Sequence, residues 1–269
     1  MRGNILNFFL TGCASGIARH LTEVLLREGH HVFATDINLE ALQSFSRSLN
    51  VPESQLKIAR LDVSQAQSWE EVFQQAVTGF GSIDVTMNIA GYMKGGWVID
   101  APAEEVHRNF DINTKGVIFG TQVSARHMQQ RRSGHIINIS SMSGLAPIPG
   151  IALYSASKFA VRAFSLAAAQ ELRQYGIYIT VICPDAVNTP LLNPNRNNDA
   201  AALVFSGDHL LTVQDIERAI MEKALPRKPL EIDLPESRAW LARLTDAFPS
   251  LILKLAPHYQ KKGLNQMSR

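Results

Sequence analysis

"ILNFFLTGCASGIA", residues 5–18, runs a strand-length apolar segment into a turn with glycines at 12 and 16, and then opens an amphipathic stretch. A strand that turns on glycine into a helix is the first half of a βαβ unit. The same alternation continues down the chain. "HVFATD" (31–36) precedes a helix from about Leu39, and "LKIARLDV" (56–63) precedes one around Trp69 to Val77. "IDVTMNIA" (83–90) leads to a long helical stretch from about Glu104 to Arg131, and "HIINIS" (135–140) to a helix through Tyr154 as far as about Gln174. "IYITVICP" (177–184) and "PLEIDL" (229–234) complete the set. Strands apolar on both faces need helices on both faces, so the pattern predicts an α/β fold with a doubly wound, Rossmann-type parallel sheet in a single domain. In such sheets ligands bind at the carboxyl ends of the strands.

The chain has 269 residues, 46% of them hydrophobic, which is enough for one large core. We expect the sheet domain, with a substrate loop around 190–225, to occupy 1–236 and a helical extension of the same domain to occupy 237–269. A formal charge of only +2 gives no reason to expect a nucleic-acid partner. No apolar run reaches about 18 residues, and the chain enters its first strand without a leader pattern, so a cytoplasmic protein is expected. Cys13, Cys183 and the eight histidines fit no metal-ligand spacing, so no metal site is expected.

Glycine in "TGCASGIA" (11–18) permits a tight turn and brings backbone N–H groups and a helix N-terminus towards a pyrophosphate. Asp36 ends the next strand 20 residues beyond Gly16. A carboxylate there accepts hydrogen bonds from ribose hydroxyls and repels a 2′-phosphate, so loop and acid together favour NAD over NADP.

With "LDV" (61–63), "NIAG" (88–91), "DINTKG" (111–116), "NISS" (138–141), "YSASK" (154–158) and "PDAVNT" (184–189), the ordered motifs between about Leu10 and Pro190 resemble the short-chain dehydrogenase/reductase family. The resemblance implies cofactor contacts at Gly12, Ser15, Gly16, Ile17, Asp36, Asp62, Val63, Asn88, Ala90, Gly91, Tyr154, Lys158, Pro184, Val187 and Thr189. It also implies a catalytic tetrad of Asn113, Ser141, Tyr154 and Lys158. Three positions depart from its pattern: Ala18 for a third glycine, Ile89 for a second asparagine and Asp185 for the glycine after Pro184.

The chemistry accounts for the tetrad. Moving a hydride to or from a carbinol carbon requires a proton to join or leave the oxygen, and Tyr154 is the candidate acid/base. Residues i and i+4 share a helix face, so Lys158 stands where its charge can lower the phenol's ordinary pKa of about 10 and its N–H groups can hold a ribose. Ser141 ends a strand, where a hydroxyl can orient a carbonyl, and Ser140 is its neighbouring rival. Asn113 is expected to kink the long helix and to hold a water that links Lys158 to solvent. The expected activity is hydride transfer between NAD(H) and a secondary alcohol or ketone; a dinucleotide-binding regulatory or scaffold protein is the alternative of a different class.

Tyr92, Met93, Trp97, Met142, Leu145, Ile148, Leu191 and Leu192 lie in loops expected to border the pocket, which points to an apolar substrate. The resemblance also implies a homodimer or homotetramer through the helices ending near Arg131 and Gln174. Towards the C-terminus Trp240, Leu241, Leu244, Phe248, Leu251 and Leu255 recur at helical spacing, broken by Pro249. Arg238, Arg243, Lys254, Lys261, Lys262 and Arg269 face a single acid, Asp246. We expect this stripe to pack over the pocket or on a partner subunit, with weak membrane-surface association as the less favoured reading.

Overall fold

The computed structural model describes residues 4–267. In chain order its elements are β1 (Asn7–Thr11), α1 (Gly16–Arg27), β2 (His31–Asp36), α2 (Leu39–Leu49), β3 (Leu56–Arg60), α3 (Ala66–Phe80), β4 (Val85–Asn88), α4 (Ala103–Asn109), α5 (Gly116–Arg131), β5 (Gly134–Ile139) and α6 (Ala152–Leu172). Then follow β6 (Ile177–Pro184), α7 (Val213–Arg218), α8 (Leu225–Arg227), β7 (Glu231–Leu234), α9 (Glu236–Ala247) and α10 (Ser250–Met267). The seven strands form one parallel sheet in the order β3-β2-β1-β4-β5-β6-β7.

Side chains alternate across this sheet as a period of two requires. From β1, Phe8 and Leu10 join Leu21, Leu25 and Leu42 on one face, while Phe9 joins Phe33, Trp69 and Phe73 on the other. Each such fully buried side chain is worth about 1.5–3 kcal/mol in removal from water, so both faces hold the sheet. Strand order reverses at β1, which pairs with β2 through Thr11 and Thr35 and with β4 through Leu10 and Met87. That reversal places the ends of β1, β2 and β4 around one crevice.

The expected long helix from Glu104 to Arg131 is interrupted. Between α4 and α5, residues Phe110–Lys115 form a wider π-turn that contains Asn113. Such turns shift the hydrogen-bond ladder by one residue, which is the kink expected at this asparagine. The stretch 193–199, polar enough to read as a loop, is more ordered than its composition indicates: it joins two 3₁₀ turns, Pro190–Asn195 and Asp199–Phe205, and Asn195 is fully buried.

Cys13 and Cys183 are buried in separate core clusters, so neither is positioned to bridge the other. Cys183, Glu231 and Asp233 bring possible ligand atoms within 4.8 Å of one another, but Arg162 and Arg243 already neutralise these carboxylates. Among the described residues no helix is long and apolar enough to cross a membrane.

Pro249 separates α9 from α10 as expected. Leu241 and Leu255 turn inward over a small apolar cavity of about 100 Å³ beside Met142, Ile148 and Leu203, whereas Trp240 and Phe248 are exposed. Half of the six basic residues meet acids on the body of the protein: Arg238 with Asp185, Arg243 with Glu231 and Asp233, and Lys262 with Asp208. Those pairs fit the packing reading of the C-terminal stripe. Arg269 lies outside the described residues.

Candidate active site

A cleft of about 620 Å³ opens at the strand ends around β1 and β4. Gly12 and Gly16 both have positive φ (82° and 56°), the region glycine enters without a Cβ clash, and together they turn the chain sharply into α1. A Cβ on Gly12 would also come within 3.1 Å of Ala90 Cα, so glycine keeps the two loops in contact. Ser15 precedes α1 without a side-chain cap on the helix, which leaves first-turn N–H groups free to meet an anion. The Asp36 carboxylate accepts from Ala14 N and Asn38 N, each at 2.9 Å, and holds the glycine turn against the end of β2.

Ser15, Ile17, Asp62, Val63, Ala90, Gly91 and Thr189 line this cleft with Gly12, Gly16 and Asp36. Asp62 accepts from both the N–H and the hydroxyl of Ser64, at 3.0 and 2.7 Å, which fixes the turn after β3. Thr11 Oγ1 accepts from Ile89 N and Ala90 N, each at 3.0 Å. The "NIAG" turn is thus held through its own main-chain N–H groups by the Thr11 hydroxyl, and Ile89 in place of asparagine leaves it intact.

Asn88 requires a correction. Its side chain is 2% exposed and donates to Asn138 Oδ1 at 2.8 Å, and Asn138 in turn donates to Ser165 Oγ at 2.9 Å. It belongs to a buried polar cluster and does not line the cleft, because its amide is turned towards Asn138 on the neighbouring strand β5.

Past Ile17, Ile89, Gly91, Thr189 and Leu191, which line both spaces, the cleft meets an inner cavity of about 80 Å³. Ser141, Tyr154, Lys158, Pro184 and Val187 line it. Lys158 is 3% exposed, with Nζ 5.6 Å from the Tyr154 ring centre and 2.9 Å from Ile139 O, to which it donates. Burial lowers the Lys158 pKa to about 8. Burial also pushes Tyr154 up to about 12, opposed by its hydrogen bond with Ser141. In the protein alone, then, desolvation outweighs the lowering of the phenol expected from the lysine.

Ser141 Oγ accepts from Ser143 N at 3.1 Å and donates to Pro184 O at 3.4 Å. Ser140 Oγ donates instead to the main-chain carbonyl of Lys158 at 2.9 Å and so braces α6 against β5. Both serines line the inner cavity, but the Ser140 hydroxyl is engaged by α6, whereas Ser141 is the one that acts on the Tyr154 phenol, lowering its pKa against burial. The Asn113 amide is spent on the chain: it accepts from Tyr92 N at 2.7 Å and donates to Tyr92 O at 2.8 Å and Ser157 Oγ at 3.0 Å. Asn113 clamps the loop after β4 onto α6 and lines neither space; both of its N–H groups are spent on the chain, so only the second lone pair of Oδ1 is left for a water.

Of the apolar loop residues, Met93, Ile148, Leu191 and Leu192 line the inner cavity, and Tyr92 borders the outer cleft. Trp97 does not join them and is 45% exposed, Leu145 is core, and Met142 faces the C-terminal helices. Sequence reasoning missed Ile151 and Val204 in the cavity wall, and Ile37, Arg108, Asp111 and Ile112 at the cleft. Ile37, an exposed apolar residue directly after Asp36, carried a signal; the others come together only through the fold.

The sequence profile described as short chain dehydrogenase matches residues 7–200. A diacetyl reductase [(S)-acetoin forming] of Staphylococcus epidermidis is 33% identical over 183 residues, covering 68% of this chain and 71% of its own. An uncharacterised oxidoreductase of Staphylococcus aureus is 31% identical over 212 residues, covering 79% and 87%. Among solved structures, a short chain dehydrogenase/reductase from Burkholderia phymatum in complex with NAD superposes with a TM-score of 0.83 at 24% identity, over 93% of this chain and 96% of that one. ElxO with NADP bound gives 0.76 at 26% identity, over 86% and 98%. A glycine turn at the switch point of a parallel sheet, a tyrosine and lysine one turn apart beside it, and a profile match over most of the chain agree: this protein belongs to the short chain dehydrogenase family of oxidoreductases.

Proposed function

We propose that the protein transfers a hydride between NAD(H) and a secondary alcohol or ketone of low polarity, with Tyr154 giving and taking the proton at the substrate oxygen. The observation that carries this reading is the inner cavity. It brings Ser141, Tyr154 and Lys158 together on an otherwise largely apolar wall, next to a cleft built for a dinucleotide.

The cleft suits NAD(H) on three counts: a glycine turn, an uncapped helix N-terminus and a carboxylate at the end of β2. Bound NADH supplies the hydride. The rest is the work of side chains. Ser141 turns its hydroxyl proton from Pro184 O to the ketone oxygen and orients it, and Tyr154, still carrying its proton at neutral pH, donates it to the alkoxide as charge develops there. Lys158 faces the phenol, and its N–H groups would hold the ribose of the bound cofactor. Asn113 acts on the same site by fixing Tyr92 against α6.

A preference for NAD over NADP rests on Asp36, since the relatives above include structures with each cofactor. The size and lining of the cavity favour a compact ketone, in keeping with the diacetyl reductase named above. The test is a panel of ketones incubated with protein and NADH while the reduced-nicotinamide absorbance is followed. Diacetyl and ring or short aliphatic ketones should be reduced; faster turnover of sugars or polyhydroxy ketones would overturn the substrate reading. We further propose assembly into a homodimer or homotetramer through α5 and α6. Sedimentation showing only a 29.7 kDa species would refute this.

A further inference from the structure

Directly after β6 the chain carries Asp185 where the resemblance implies glycine. Its side chain is 13% exposed, lines the inner cavity, and lies 2.8 Å from Arg238 Nη1 of α9. Asp185 N donates to Leu234 O at 2.7 Å. The preceding carbonyl, Pro184 O, is the one that accepts from Ser141 Oγ. A continuous line of contacts therefore runs from the guanidinium on α9, through Asp185 and Pro184, to the hydroxyl that meets Tyr154.

The C-terminal helices grip the same side of the molecule elsewhere. Arg238 Nη2 donates to Ser206 Oγ at 3.4 Å, Gln266 donates to Gly207 O at 2.8 Å, and Lys262 pairs with Asp208 at 2.7 Å. Those contacts hold a loop; the Arg238–Asp185 contact ends on a side chain in the cavity wall. A carboxylate this buried requires a partner, because an uncompensated charge there is costly. Here the partner comes from α9, beyond the sheet.

We propose that Asp185 and Arg238 are a positioning pair, which fixes the Ser141 hydroxyl through Pro184 and makes the C-terminal helices part of the working site. This rests on the reading of Ser141 as the group that orients the substrate oxygen. The test uses the full chain with NADH and the ketone turned over fastest in the panel. Arg238→Met should lower kcat about tenfold with KM changed less than about twofold, as expected when an interaction realised at the transition state is lost. The primary isotope effect with 4-deuterated NADH should rise, NADH affinity should stay unchanged, and Arg238→Lys should recover most of kcat. A kcat within about twofold of the parent, with only the melting temperature lowered, would reduce the pair to a structural brace and overturn the proposal. Should Arg238→Met not fold, the near-isosteric Asp185→Asn decides by the same kcat and isotope readings. Ser141→Ala separates the two failures. If it leaves kcat intact, the reading of Ser141 is wrong; if it lowers kcat while Arg238→Met does not, the positioning proposal is wrong.

Discussion

Tyr154 and Lys158 stand one turn apart on α6, with the ammonium nitrogen 5.6 Å from the centre of the phenol ring and both side chains buried. Burial acts on the two in opposite directions, raising the phenol to about 12 and lowering the ammonium to about 8. Each shift disfavours the charged form, as desolvation must.

A directional pH dependence follows. With its pKa raised, Tyr154 keeps its proton throughout the neutral range and remains available as an acid. Ketone reduction should therefore change little between about pH 6 and 7, below the point where Lys158 begins to lose its charge, whereas alcohol oxidation, which needs the deprotonated phenol, should climb as pH rises. Initial rates in both directions across a buffer series check this; oxidation that falls with rising pH would contradict it.

Asp36 makes a prediction about cofactor choice. NADH should bind more tightly than NADPH, and Asp36→Ala should narrow the gap by about tenfold or more as the repulsion of a 2′-phosphate disappears. The same substitution removes the acceptor for Ala14 N and Asn38 N, so a loss of about 1–3 kcal/mol in stability should accompany it. Fluorescence titration and thermal melts read the two effects separately.

His135 makes a prediction about acid stability. It is 2% exposed, and its Nε2 lies 2.9 Å from Thr180 Oγ1, whose own proton goes to Pro229 O. Nε2 is therefore the donor and the neutral ring is the buried form, its pKa lowered to about 3 by burial, with Lys228 adding to the effect. Between pH 3 and the unfolded value of 6.5 the unfolded chain binds the extra proton and the folded one does not, so stability falls as pH drops through that window. His135→Gln should flatten this limb of a denaturation curve measured against pH; an unchanged limb would assign the loss to other groups.

How much of this was legible in the sequence differed by residue. The strand-turn-helix rhythm and the Tyr154–Lys158 spacing are local, and both survive intact in the fold. The side-chain direction of Asn88 was not legible, because a strand end gives no local signal of which face it presents. Asn195 reads as part of a polar loop, yet it accepts from Gly95 N at 2.6 Å and donates to Met93 O at 3.2 Å, which ties two loops about a hundred residues apart. Asp185 appeared only as a departure from a pattern, since its partner Arg238 is brought to it by β7 and α9. Contacts of this kind depend on the tertiary path of the chain, and no periodicity encodes them.

The central claim, that Tyr154 moves the proton in a hydride transfer, is tested most directly by Tyr154→Phe, assayed for NADH affinity and for ketone turnover on the same preparation. The account predicts NADH binding within about twofold of the parent and a loss of turnover of about 10²–10⁴, the usual worth of a general acid. Turnover retained within about tenfold, with binding intact, would contradict it.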